Sequence, residues 1–118
     1  MRSRSSGSVR IISLDVNRIM KGLQSAARKL RQVDENVLEV YLFGSLAKGK
    51  AAPGSDADIL IILESSPKPP LERVTDFMDF FSGLGIGVDI FPYTRVEMEK
   101  HKDDPFLQEI LRDRVRLA

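Results

Sequence analysis

The chain has 118 residues, room for one domain; at 42% hydrophobic and 30% charged it reads as neither disordered nor membrane-embedded, since its longest apolar run, Ile59 to Leu63, falls far short of the roughly 20 residues a membrane helix requires. The lack of cysteine excludes a disulfide scaffold, thiolate zinc sites and a cysteine nucleophile. A net charge of +1 hides an asymmetry, because residues 1–34 carry eight Lys or Arg against two Asp and the remainder ten against fifteen Asp or Glu; the basic part reads as a solvated helix face, and nucleic acid is not expected as a direct partner.

Met1 to Ser8 is small, polar and basic and reads as a flexible tail, leaving 9–118 as a single domain. No apolar segment follows it to make a signal peptide, so a cytoplasmic location is the default. Apolar residues then recur in steps of three and four (Val16, Ile19, Met20, Leu23, Ala27, Leu30, Val33), which predicts a helix over 14–34 capped by Ser13 or Asp15. Val37 to Phe43 is rich in β-branched and aromatic residues and reads as a strand ending at Gly44. A loop of Gly, Ala, Lys and Pro leads to a second strand, Asp56 to Leu63, so apolar after its first three residues that it must be buried on both faces. Leu71, Val74, Phe77, Met78 and Phe81 predict a second amphipathic helix with Glu72, Arg73, Asp76 and Asp79 outward. Gly83, Gly85 and Gly87 bracket a turn into a third strand over Ile86 to Phe91. Thr94 and Glu97 form a capping box, and Asp104-Pro105 opens a last helix expected to bury Phe106, Leu107, Ile110 and Leu111. The expected class is α+β: a small mixed sheet of about three core strands flanked by helices.

The loop Gly44 to Asp58 carries the chemistry. Gly44-x4-Gly49-Lys50 comes within one residue of a P-loop, but Ala51 stands where that motif needs Ser or Thr, and Pro53 forbids the long helix that must follow. The better reading starts with Gly44-Ser45 directly after a strand, where glycine admits close backbone approach and a serine opening a helical turn offers a hydroxyl and unpaired N–H groups to a phosphate. Asp56 and Asp58, at the start of the second strand, alternate onto one face and repel each other unless a cation compensates. Asp89 adds a third carboxylate from a neighbouring strand. Together they offer the hard oxygen donors that Mg²⁺ prefers, enough for two ions.

Gly44-Ser45, Gly49, Ser55, Asp56-Ala57-Asp58 and Asp89, in that order, resemble the DNA polymerase β-type nucleotidyltransferase superfamily and are most similar to its minimal nucleotidyltransferases. The resemblance covers residues 14–118. It implies that Gly44 and Ser45 hold the phosphates of a nucleoside triphosphate, with ATP as the expected donor. It also implies that Asp56 and Asp58 bind Mg²⁺, that Asp89 completes the metal site and aligns or deprotonates the acceptor hydroxyl, and that Ser55 orients Asp56 or touches phosphate. Leu46 and Lys48 stand where many members carry arginine, and Lys48 keeps the charge without the bidentate fork. In the minimal family the resemblance further implies a helical HEPN-type partner protein, of which the transferase is the antitoxin, in some cases by moving AMP onto a tyrosine of the toxin. A homo-oligomer would equally supply the second surface that so small a catalytic core requires. Two alternatives stand beside this one: a non-catalytic module that neutralises its partner by binding, and a transferase acting on a small molecule. His101 reads as a surface residue, Phe77, Phe80 and Phe81 as core, and Tyr93 as the aromatic best placed to touch a nucleotide.

Overall fold

The computed structural model describes residues 15–118. The tail expected over 1–8 and the alternative cap Ser13 lie outside the described residues. Helix α1 (Val16–Val33) starts at Asp15, whose carboxylate accepts the Arg18 N–H at 3.2 Å. Its inward stripe of Ile19, Leu23, Ala27 and Leu30 is buried, as the periodicity requires.

Strand β1 (Val37–Phe43) leads into a single helical turn, α2 (Gly44–Ala47), and the loop returns to β2 (Ala57–Leu63), one residue later than expected. Next come two single-turn helices, α3 (Pro70–Arg73) and α4 (Thr75–Met78), and a 3₁₀ turn over Asp79–Phe81. Strand β3 (Val88–Thr94), helices α5 (Arg95–Lys100) and α6 (Pro105–Asp113), and a two-residue strand β4 (Val115–Arg116) complete the chain.

The sheet order is β3-β2-β1-β4, with β1 antiparallel to both β2 and β4 and β2 parallel to β3. Ile59, Leu60 and Ile61 are fully buried, confirming β2 as an interior strand covered on both faces. Alternation divides the side chains between two cores. Val40, Leu42, Ile59 and Ile61 pack with α1, Phe77 and Phe81, while Tyr41, Phe43 and Leu60 pack with Leu107 and Ile110 of α6. Among the described residues no helix is long and apolar enough to cross a membrane.

Three expectations need correction, and one short strand is added. The helix expected from Leu71 to Phe81 is broken into three short turns, and its faces differ: Leu71 and Met78 are exposed, while Arg73, expected outward, is 3% exposed. The cause is a set of acceptors that only the fold brings together. Arg73 donates to the Lys68 carbonyl at 2.8 Å, the Pro92 carbonyl at 3.0 Å and both oxygens of Glu97 at 2.7 and 2.8 Å. The third strand runs two residues later at its start and three later at its end than expected, passing through Pro92; β3 is an edge strand, where a missing N–H costs no ladder bond. In α6, Leu107 and Ile110 are buried as expected, but Phe106 is half exposed and Leu111 only partly covered. Strand β4 adds a fourth strand to the sheet, its pairing extended by Leu117 N–H to the Val40 carbonyl at 2.8 Å.

The local signals hold. Thr94 Oγ1 accepts the Glu97 N–H at 3.1 Å and Glu97 accepts the Thr94 N–H at 2.9 Å, a complete capping box. Asp104 caps α6 by accepting the Phe106 N–H at 2.8 Å.

Candidate active site

The site forms where β1 ends and β2 and β3 begin. Gly44 joins β1 to α2 with φ +78°, a left-handed conformation, and a Cβ there would fall on the Asp58 carboxylate, whose Cγ would lie 3.2 Å away. Glycine thus lets the chain turn into a helix directly against Asp58. Asp58 stands opposite Phe43 of β1 on one side and opposite Asp89 of β3 on the other. The pairing of Asp58 with Asp89 places two carboxylates side by side on adjacent parallel strands, which the alternation along either strand alone could not reveal.

Asp56 lies just before β2, so it is not a strand residue as expected. Its carboxylate rests where a Gly87 Cβ would be, and the Ala57 N–H to Gly87 carbonyl bond of 2.8 Å joins the two segments. Gly87 was legible only as part of a turn; its second task is to leave room for Asp56. Asp89, expected in mid-strand, is the second residue of β3 and is exposed, as is Asp56, whereas Asp58 is half-buried.

Burial holds the Asp58 carboxyl above its ordinary value of 3.8, and the charges of Asp89 and then Asp56 push it further the same way. Asp58 therefore feels the charge of both other carboxylates. Among the described residues no three His, Cys, Asp or Glu side chains are grouped closely enough to hold a metal ion. The donor set nonetheless fits a hard divalent cation: every candidate ligand is a carboxylate oxygen, and the missing Cβ atoms of Gly44 and Gly87 leave Asp58 and Asp56 the space they occupy.

Ser45 is the second residue of α2, directly after Gly44, and is partly exposed. Leu46 is 4% exposed and belongs to the main core, so its side chain serves packing and does not face a phosphate. Lys48 points toward α6, its Nζ 3.6 Å from Asp113 and 3.9 Å from Glu109. The Ser55 hydroxyl accepts the Ala52 N–H at 3.0 Å and so closes its own loop turn. His101 is exposed at the end of α5, as expected, and Tyr93 lies partly buried four residues beyond Asp89.

Gly44→Ala is expected to cost about 1–2 kcal/mol from the left-handed backbone alone, with a further loss from displacing Asp58. Gly49→Ala, at φ +72° with open space around it, should show only the backbone part. Urea unfolding of the two variants separates these contributions.

A four-stranded mixed sheet with helices on both faces, bearing a Gly-Ser turn and carboxylates on two neighbouring strands, is the polymerase β-type nucleotidyltransferase fold. The model of the nucleotidyltransferase domain family matches residues 23–118, and the chain belongs to that family. Among solved structures, one assigned as a nucleotidyltransferase from Sulfolobus solfataricus is similar at 24% identity and TM-score 0.62, over 86% of this chain and 80% of that one. A toxin–antitoxin structure with AMP-PNP is similar at 21% identity and TM-score 0.51, over 89% of this chain and 73% of that one. A variant of the toxin–antitoxin MntA–HpeT, with two aspartates two positions apart changed to glutamate, gives 19% identity and TM-score 0.51 over the same shares. No curated protein matches the chain in sequence.

Proposed function

We propose that this nucleotidyltransferase-family protein uses Mg²⁺ to move AMP from ATP onto a hydroxyl of a partner protein, as the cytoplasmic antitoxin of a pair whose toxin is a helical HEPN-type protein. The observation that carries the transferase reading is the pairing of Asp58 with Asp89 across β2 and β3, with Asp58 set against the side-chain-free face of Gly44. The choice of nucleotide and partner is supported by the two toxin–antitoxin neighbours, one crystallised with AMP-PNP and the other altered at an aspartate pair spaced as Asp56 and Asp58 are here.

Asp56, Asp58 and Asp89 would hold one or two Mg²⁺ ions, which when bound offset phosphate charge and favour ionisation of the attacking hydroxyl. The Ser45 hydroxyl and the N–H groups of the first turn of α2, which have no intrahelical acceptors, bind the β- and γ-phosphates. Lys48 joins them by exchanging its two carboxylate partners on α6 for phosphate oxygens. Asp89, exposed on the edge strand, faces the acceptor and takes the hydroxyl proton. The acceptor oxygen bonds to the α-phosphorus while the bond from that phosphorus to the α,β-bridging oxygen breaks, and pyrophosphate leaves with the electron pair. Alignment and charge complementarity do the catalysis, and no covalent protein intermediate is required.

The test uses ATP labelled at the α- or the γ-phosphate, incubated with Mg²⁺, the protein and extract of its own host. Transfer of α-label alone to a discrete protein band supports the proposal, and mass analysis of that band identifies the acceptor. Label on a small molecule instead favours the small-molecule transferase, and partner capture without any label transfer favours the binding module.

A further inference from the structure

We infer that Phe106 is the stacking platform for the nucleobase of the nucleoside triphosphate, an inference that rests on the transferase reading above. Periodicity places Phe106 in the core, yet the residue is 50% exposed. It is nevertheless held in place. Its centroid lies 6.4 Å from Phe43 and 6.1 Å from Phe91, which are themselves 5.2 Å apart, and the Phe106 N–H is fixed by the Asp104 cap.

One supporting ring pairs across the sheet with a carboxylate of the site, and the other shares its strand with one. Phe43 immediately precedes Gly44 and pairs with Asp58; Phe91 lies two residues beyond Asp89, on the same face of β3. Phe106 also stands between two cavities. One, of about 200 Å³, is shared with Gly44, Lys48 and Asp58; the other, of about 250 Å³, with Tyr93, Met98 and His101. A triphosphate seated on the Gly44-Ser45 turn with its α-phosphate beside Asp58 carries its base, one ribose further on, toward this ring. An aromatic ring already held by two others loses little freedom on stacking, and because every base has a π-face it favours nucleosides without choosing sharply among them.

The experiment compares binding of Mg·ATP and Mg·tripolyphosphate by calorimetry to the full chain and to Phe106→Ala, Phe106→Leu and Phe106→Trp, with melting curves confirming that each variant is folded. ATP binding should weaken about tenfold in the Ala and Leu variants and recover in the Trp variant, while tripolyphosphate binding stays constant throughout. Unchanged ATP affinity in Phe106→Ala, or a parallel loss of ATP and tripolyphosphate affinity, overturns the platform and leaves the transferase reading intact. Failure of the unaltered protein to bind either ligand overturns both.

Discussion

Asp58→Asn is expected to lower nucleotidyl transfer by about 10³-fold while raising the melting temperature of the metal-free protein. The two effects have one cause. Asp58 is half-buried and faces the like charges of Asp89 and Asp56, so its ionised form is disfavoured in the fold and its pKa is raised. A carboxyl whose pKa is higher folded than unfolded weakens the fold at neutral pH, and this penalty fades as pH falls through the raised value toward 3.8. Asparagine keeps the shape and removes the charge, so the gap in melting temperature between variant and parent should be widest near pH 7 and close in acid. Calorimetric scans from pH 7 downward, paired with transfer assays at pH 7, test both halves. Retained turnover, or a melting temperature lowered by many degrees, would contradict the assignment of Asp58 to a cation rather than to the packing of the fold.

Arg73→Met should destabilise the protein by about 3 kcal/mol, a fall of roughly 10–15 °C in melting temperature. The guanidinium is nearly inaccessible and ties the Lys68 carbonyl, the Pro92 carbonyl and the Glu97 carboxylate together, so its loss takes the donor from two carbonyls and leaves the carboxylate only the Thr94 N–H. The same pair predicts an acid transition. Arg73, with lesser help from the Thr94 N–H and hydroxyl, holds the Glu97 carboxyl down from 4.5 to about 2. A carboxylate whose pKa is depressed on folding adds stability above its unfolded value and loses it as pH falls through the folded one. This contribution is therefore complete above about pH 4.5 and gone near pH 2. Urea unfolding between pH 6 and pH 2.5 should show a slope in the parent that is flattened in Glu97→Gln. Because Arg73 ties α3 and α5 to the edge strand β3, Arg73→Met should also loosen the alignment of Asp89 with Asp58 and lower turnover without touching substrate.

What could be read from the chain was whatever depends on near neighbours. The caps at Asp15, Thr94 and Asp104 hold because each joins a side chain to backbone two or three residues away. The interior position of β2 follows from the unbroken run Ile59 to Leu63, and family membership from the order of Gly44-Ser45, the Asp-x-Asp pair and Asp89. The errors lie where distant segments decide. Arg73 turns inward because acceptors 19 and 24 residues away converge on it. Phe106 stays half exposed because Phe43 and Phe91 already fill the space beneath it, and β4 exists because two residues near the end of the chain find the free edge of β1. Lys48 met two acids of α6 that no local pattern announces.

The most direct measurement is calorimetric binding of ATP with and without Mg²⁺ to the parent protein, Asp58→Asn and Asp89→Asn. The carboxylate pair across β2 and β3 predicts Mg²⁺-dependent binding in the parent and its loss in both variants. Binding that persists undiminished in the variants, or that is indifferent to Mg²⁺, would contradict a cation site built from these strands.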